Sequence, residues 1–584
     1  MNLLKLIKSG ISGLYLSIKR FPYALSFSTL TTITIIILIN IGNSYDLVTI
    51  DLLERIAMTL ALGFPLYLCL KVIFENGLNV SGRNKIVSRL LAAVFLLSYF
   101  FILLSELDMV SISRYTAVTL ALYLLFLVIP YFYKRNNFEL YVVRLFTRVS
   151  ITLIYAVVLY SGLAITLFTI NKLLNIPISS ELYVSTWLIV IGIFAPIFLL
   201  AGIPRQDEKI DIKEYPKLFE ILLLYIVMPL ITIYTSILYI YFVKILITRL
   251  WPEGLVAHLV LWYASVSIIV LFFVSPLRKN KWVSSFILWL PRTLIPLLLM
   301  MFVAIGIRVN DYGVTENRYY VMVLGLWSIG IVLYYIFKRK RRNIILPLSL
   351  AILTLLSVFG PWSSYSVSIQ SQNKRFEEIV RKYDIIKDNT IVKSTVELTT
   401  DDQEELNAIL RYFNQYHQIN DINSLPADFT TDDTEDYFGF AFKGNRYDFN
   451  KHQYFSYNLI NDNRIIKLEN YDYLFTIQGY NNEIKQSNNF LTVKLNDLNK
   501  DIIIMENDIE IYNKSLLPVL KEIHLKNKNI PYEELNPENF TFFDENKNLS
   551  LKIIFRTISG TSKISNPNTI NIDNINLYLL IGLK

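Results

Sequence analysis

Eleven hydrophobic stretches, each about as long as a lipid bilayer is thick, occupy the first 360 residues and leave little room for any other architecture. An α-helix rises 1.5 Å per residue, so the ~30 Å hydrocarbon core takes about 20 mostly apolar residues. Stretches of that kind fall near 22–42, 56–74, 86–105, 115–133, 150–170, 185–203, 219–247, 257–275, 283–306, 319–337 and 343–360. In lipid the backbone must satisfy its own hydrogen bonds, which makes each run a helix.

The charges between the stretches give a sidedness. With the N-terminus placed in the cytoplasm, the inner segments carry Lys5, Lys8, Lys19, Arg20; Lys71, Arg83, Lys85, Arg89; Lys134, Arg135, Arg144, Arg148; Arg205, Lys209, Lys213, Lys217; Arg278, Lys279, Lys281; and the run from Lys338 to Arg342. The outer segments carry only Arg55, Arg114, Lys172, Lys244, Arg249, Arg308 and Arg318, and Arg292 stays inside a span. Every inner segment is richer in Lys and Arg than every outer one, the bias that orients membrane helices. An odd number of crossings then puts residues 361–584 outside the cytoplasm.

Composition supports this and removes other classes. Of 584 residues 53% are hydrophobic and 18% charged, too apolar for an ordinary soluble protein. The net charge of +8 is the sum of unlike halves: residues 1–360 hold 32 Lys and Arg against 16 Asp and Glu, residues 361–584 hold 24 against 32. The basic excess sits in short loops rather than on one continuous face, so no nucleic-acid partner is expected. Cys69 is the sole cysteine and excludes an intrachain disulfide. The basic N-terminus leads into a full-length apolar run followed by many others, which reads as a first span and not as a cleaved signal peptide.

Three regions follow. Residues 1–21 place Leu3, Leu4, Ile7, Ile11, Leu14 and Ile18 at helical spacing, either an amphipathic cytoplasmic helix on the inner leaflet or a solvated lead-in. Residues 22–360 form an α-helical polytopic membrane bundle of about 11 transmembrane helices, with the lipid bilayer as partner. Residues 361–584 form an extracytoplasmic soluble domain, α+β or mainly β. There, Thr400 followed by Asp401, Asp402 and Gln403 reads as a capping box. Strands are expected at Phe438–Phe442, Tyr454–Ile460, Arg464–Leu468, Tyr473–Ile477, Phe490–Leu495, Leu549–Phe555 and Ile575–Gly582.

The string from Asp311 to Tyr319, DYGVTENRY, together with the Gly360-Pro361-Trp362 exit and the string Tyr471-Asp472-Tyr473-Leu474, resembles the bacterial membrane proteins grouped as DUF4153. The resemblance covers nearly the whole chain, and the first string is its specific part. It implies a multi-pass bacterial membrane protein with an external tail, and it brings no established reaction.

Arg292 lies about nine residues beyond Val283, roughly 14 Å into the bilayer. An arginine there costs about 2.5–3.5 kcal/mol on insertion scales, so something must compensate. It stands between Pro291 and Pro296. One reading is an anion or substrate site inside the bundle; the other is an arginine tied to backbone carbonyls or to a neighbouring carboxylate. The segment Arg308 to Tyr320 gathers Arg308, Asp311, Tyr312, Glu316, Asn317 and Arg318 between two spans, with Gly313 as a turn. Its arginines suit a phosphate or carboxylate, and its carboxylates suit a metal ligand or general base. Equally, the segment reads as a salt-bridged connector that docks the external domain.

Asp46 and Asp51 sit in the first outer loop, where membrane glycosyltransferases using polyprenyl-phosphate sugars commonly carry a catalytic carboxylate. The plainer reading is acidic residues placed where basic ones are disfavoured. His258, His417, His452 and His524 have no metal-ligand spacing, and no standard hydrolase, nucleotide-binding or paired-cysteine motif occurs. No catalytic residue, metal or cofactor is therefore assigned. The leading functional expectation is a bundle that presents residues 361–584 to an envelope protein or cell-surface ligand. The competing one is a transporter or lipid-linked transferase with an outward anionic-substrate site around Arg292 and the Arg308–Arg318 loop.

Overall fold

The computed structural model describes residues 14–41, 47–75, 81–132, 137–204, 215–249, 255–338, 341–387, 390–391, 398–426, 428–442, 452–459, 468, 470–479, 483–487, 490–496, 500–507, 509–527, 532–563 and 566–584. It divides into two units: Met1–Glu378 with Asp421–Asn423, and Ile379–Asn420 with Ser424–Lys584.

Among the described residues of the first unit, ten helices are long and apolar enough to cross a membrane: α1 (Pro22–Ile41), α2 (Val48–Glu75), α3 (Gly82–Leu103), α4 (Met109–Tyr131), α5 (Phe138–Leu174), α6 (Ser180–Ala201), α7 (Lys217–Thr248), α8 (Val256–Leu277), α9 (Lys281–Tyr312) and α10 (Glu316–Phe337). The protein is an integral, multi-pass membrane protein. Its helices wear apolar side chains on their outer faces too, as with Leu153, Ile154, Val157 and Val158 of α5, because lipid is as apolar as the interior. Close packing supplies what hydrophobic burial cannot. At Gly325 of α10 an added Cβ would run into Met301 and Phe302 of α9, so the absent side chain lets the two helices approach.

The eleventh stretch forms a shorter helix, α11 (Ile345–Leu356), about 18 Å long at 1.5 Å per residue. It packs along α4. Its two ends are held at opposite ends of that neighbourhood. The Asn343 amide, just before α11, donates to Glu139 at the start of α5 at 2.7 Å, and Arg114 near the start of α4 donates to the Val358 carbonyl, just beyond α11, at 3.4 Å. Turns over residues 357–363 lead into α12 (Ser364–Lys382), an amphipathic helix. Tyr365, Ser368, Gln372 and Phe376 line its buried face at helical spacing.

Of the expected N-terminal amphipathic segment, residues 14–20 are described and helical. Ser17 is buried and donates to the Ile197 carbonyl of α6, and Arg20 grips Glu75 of α2 through two bonds of 3.1 and 2.8 Å. Residues 1–13 and 205–214, Asp46, Arg339 and Lys340 lie outside the described residues.

The second unit is rich in antiparallel strands. After a small hairpin, β1 (Ile386–Lys387) with β2 (Thr390–Ile391), comes helix α13 (Thr400–Tyr416) and the one-turn helix α14 (Thr434–Phe438). A six-stranded sheet contains β3 (His452–Leu459), β4 (Tyr473–Gly479), β9 (Tyr532–Leu535), β10 (Thr541–Glu545), β11 (Leu549–Lys563) and β12 (Asn566–Leu583), in the order β4-β12-β11-β3-β9 with β10 also on β11. A four-stranded meander is built from β5 (Glu483–Ser487), β6 (Leu491–Asn496), β7 (Asp501–Glu506) and β8 (Ile509–Ser515). Helix α15 (Leu517–Asn527) packs on β12. Leu491, Val493 and Leu495 alternate inward along β6 and join Phe455, Tyr457, Phe555 and Leu579 in one core.

Two local expectations are corrected. The helix expected to be capped by Thr400 is capped by Thr399, whose hydroxyl accepts from the Asp402 backbone N–H; Thr400 is already helical. The cap-to-third-residue spacing is met by Thr399 and Asp402, not Thr400 and Gln403. No strand forms at Phe438–Phe442. Thr430 and Asp433 cap each other and start a helical turn, which runs to Phe438 and ends at Gly439 with φ +77°. The expected strand at Arg464–Leu468 lies outside the described residues except for Leu468, which is not in a strand.

Candidate functional site

The segment from Arg308 to Tyr320 is mostly helical. Helix α9 continues to Tyr312, α10 starts at Glu316, and only Gly313, Val314 and Thr315 turn between them. Gly313 is buried with φ +65° and ψ −178°, a backbone region that side chains other than hydrogen rarely enter. A Cβ there would also stand 2.6 Å from the Arg375 Cδ atom of α12.

That contact belongs to a clasp. Helix α12 lays Ser371, Gln372 and Arg375, one turn of its surface, over the turn. The Ser371 hydroxyl accepts the Val314 N–H at 2.9 Å. The Gln372 amide nitrogen donates to the carbonyls of Tyr312 and Val314, at 3.1 and 2.9 Å. Arg375 donates to the carbonyls of Tyr312 at 2.7 Å and Asp311 at 3.3 Å. From the other side Arg318 of α10 reaches back to the carbonyls of Tyr312 at 2.9 Å and Gly313 at 2.6 Å, its guanidinium lying over the Tyr312 ring. These carbonyls are the orphans that the end of any helix leaves unsatisfied.

Two guanidinium groups therefore share the Tyr312 carbonyl oxygen. Like charges ~5 Å apart repel by roughly 3 kcal/mol at an effective dielectric constant of ~20. Each charged hydrogen bond to a carbonyl returns about 1.5–3 kcal/mol, so the four such bonds outweigh the repulsion. Arg308, one helical turn before Tyr312, adds a third positive charge that acts on Arg318. Burial pushes the Tyr365 phenol of α12 up, helped by its neighbours Tyr320 and Glu316.

Each expected site residue has a place. Arg308 is half-buried and has no hydrogen bond or ion pair among the described residues. Asp311 is exposed and accepts from the Asn310 amide; Tyr312 and Asn317 are exposed; Glu316 opens α10. Arg318 is half-buried in the clasp. Arg292 is elsewhere. Sixteen residues separate it from Arg308 on the same helix, about 24 Å along the axis. Its exposed side chain folds back onto the Leu288 carbonyl of its own helix, and its charge acts on Arg341 beyond the other end of α10. The structure brings Arg308, Tyr312 and Arg318 together and leaves Arg292 out. Asp51 pairs with Arg55 one turn along α2, at 3.5 Å. The described residues hold no cluster of His, Cys, Asp or Glu able to bind a metal.

Sequence reasoning missed α12 and with it Ser371, Gln372, Asn373 and Arg375. Asn373 is buried, donating to the Asp421 carbonyl at 2.8 Å and accepting from the Asn423 N–H at 2.9 Å. The signal was present: Tyr365, Ile369, Gln372, Phe376 and Ile379 recur at helical spacing directly after the last apolar stretch.

A family model described as "Domain of unknown function (DUF4153)" matches residues 30–383, a span that runs through the bundle and ends one residue past α12. An uncharacterised protein of Pasteurella multocida (strain Pm70) is 24% identical over 397 residues, covering 68% of this chain. The match spans 65% of that relative's own length. No solved structure matches.

Proposed function

The chain belongs to the DUF4153 family, and we propose that it is a bacterial envelope protein whose membrane bundle presents residues 361–584 outside the cytoplasm to sense or bind an envelope protein or surface ligand. The observation that carries this reading is the clasp on α12. The helix that leads out of the bundle is bonded through Ser371, Gln372 and Arg375 to the α9–α10 turn, and the same helix runs on to Lys382, where the second unit has begun. Orientation is supported by the charge count and by α11, whose flanking residues are held at opposite ends of the α4 neighbourhood, as an eleventh crossing requires.

The transporter or transferase reading is weaker. The arginines it needs at one site lie about 24 Å apart along α9, and Arg318 is bonded to main-chain carbonyls. A pull-down of envelope components by residues 361–584 tests the leading reading. A folded domain that recovers nothing, in cells that function normally without it, overturns it.

A further inference from the structure

We propose that His524 makes α15 an acid-released latch within the second unit: the helix lies on its sheet while the imidazole is neutral and lifts when the ring takes up a proton. Helix α15 places Leu520, Ile523 and His524 on one buried face, with Leu516 just ahead of it, so an imidazole enters the core together with three apolar side chains. His524 is 3% exposed. Its ring centroid lies 4.2 Å from that of Phe455 on β3, and its Nδ1 atom is 3.1 Å from the Tyr457 phenol oxygen. The same phenol donates to the Asn527 carbonyl at 3.2 Å, at the end of α15. One hydroxyl of β3 thus pins the last turn of the helix at two points.

The other ring nitrogen is the one that titrates. Nε2 is buried and has no hydrogen-bond partner. A neutral imidazole tolerates this, because its Nδ1–H faces the Tyr457 oxygen while Nε2 is a bare lone pair; an imidazolium carries N–H on both nitrogens, and the second would be buried with nothing to accept it. The charged and titratable groups around the ring are few. On α15 itself Lys521, Glu522 and Lys526 are exposed, the last two paired at 2.8 Å. On the strands stand Tyr457 of β3, Glu533 of β9 at the register position beside Tyr457, and on β12 the exposed Asp573 and half-buried Tyr578. Among the described residues no carboxylate bonds to His524, and burial pushes its pKa down although the last turn of a helix ordinarily favours a cation. An unfolded histidine titrates near 6.5. Because the folded value is the lower one, the neutral ring stabilises α15 fully above about pH 6.5 and progressively less as pH falls below it. The latch does not depend on which compartment holds the second unit or on what that unit binds, so its failure would leave the proposed function untouched.

The experiment follows amide hydrogen exchange of the full chain in non-ionic detergent between pH 7.5 and 5, as protection factors corrected for the intrinsic rate at each pH. Protection of peptides within Leu517–Asn527 should fall about tenfold across this window, the most that one histidine supplies per pH unit between its unfolded and folded titrations. His524→Gln, neutral at every pH and still able to donate to Tyr457, should abolish that dependence. Peptides of β6 and β7 serve as the reference, since a latch frees α15 while the meander stays closed. Equal loss of protection in Leu491–Glu506 would mean that the whole unit opens, and overturns the latch. Protection of α15 that is flat with pH, or a pH dependence that survives His524→Gln, overturns it as well. Should that variant fail to fold, deuterium exchange at the imidazole C2–H of the wild-type chain decides. His524 is the sole histidine of α15, and its titration must fall below about pH 6.5; a midpoint at or above that value overturns the proposal.

Discussion

The side-chain amide of Gln372 lies 3.1 Å from the carbonyl oxygen of Tyr312, sixty residues earlier in the chain, and 2.9 Å from that of Val314. Gln372 is buried, and of the two carbonyls it serves, that of Tyr312 also accepts from Arg318 and Arg375. Gln372→Ala should cost about 1–2 kcal/mol, the price of an unmet carbonyl less what Arg318 and Arg375 still provide to Tyr312. Gly313→Ala should cost more, about 2–3 kcal/mol, since it adds an unfavourable backbone region to a clash with Arg375. Tryptophan-monitored unfolding in detergent measures both. Equal, negligible effects would show that the clasp contributes nothing to the fold.

How much of this was legible in the sequence depends on which physics sets each element. The spans were, because a bilayer demands ~20 apolar residues whatever the neighbours are, and all ten long helices coincide with an expected stretch. Their ends were less so. Helix α5 begins at Phe138, about a dozen residues before its apolar run, since Arg144 and Arg148 are tolerated in a helix that extends past the hydrocarbon. Arg148 illustrates the reason: it donates to the Phe198 carbonyl near the end of α6, a contact between helices that no local pattern reveals. In the second unit Leu549–Phe555 and Ile575–Gly582 were recognised as strands, yet β11 and β12 run on through polar residues. Pairing of one strand with the other sustains them there, through several bulges, with Ile558, Ile570 and Ile572 as scattered apolar contacts to the core. The clasp was half legible. Arg308 to Arg318 stood out as a polar cluster, whereas Gln372 and Arg375 acquire meaning only when α12 folds back on it.

Arg292 offers a sharp contrast with the clasp. Its guanidinium is bonded to the Leu288 carbonyl of its own helix and lies on an exposed face. Arg292→Leu should therefore leave the unfolding midpoint unchanged or raise it, because it removes an insertion cost of about 2.5–3.5 kcal/mol at mid-bilayer. Expression level and midpoint in detergent are the measurements. A variant that inserts and folds normally but loses function would return Arg292 to the list of ligand-binding residues.

Acid should loosen the start of α13. The Asp402 carboxylate accepts from Lys382 at 2.6 Å, from Thr399 at 2.7 Å and from Tyr383, and the Lys382 bond, first among these, holds its pKa down to about 2. An unfolded aspartate titrates near 3.9. Because the folded value is the lower one, Asp402 stabilises the fold fully above about pH 4, and that contribution disappears as pH falls toward 2. Hydrogen exchange of peptides covering Thr400–Tyr416 should accelerate across this window in the wild type relative to Asp402→Asn at each pH. Identical pH trends in the two proteins would remove Asp402 from the account.

Sidedness can be read with single cysteines, because Cys69 is 5% exposed and contributes little background. Lys279 lies in the turn between α8 and α9, and Lys547 lies in the turn between β10 and β11; both are exposed. In intact cells a membrane-impermeant maleimide should label Lys547→Cys directly and Lys279→Cys only after permeabilisation. The two positions are separated by α9, α10 and α11, so opposite labelling requires an odd number of crossings, and α11, with 12 residues, is shorter than the hydrocarbon core demands. Its flanks answer the shortfall, with Asn343 bonded to Glu139 on one side and Val358 to Arg114 on the other. Labelling of both positions only after permeabilisation would mean that α11 enters the membrane without crossing it. The second unit would then share a compartment with the Arg278–Lys281 turn, and an external ligand for it would be ruled out.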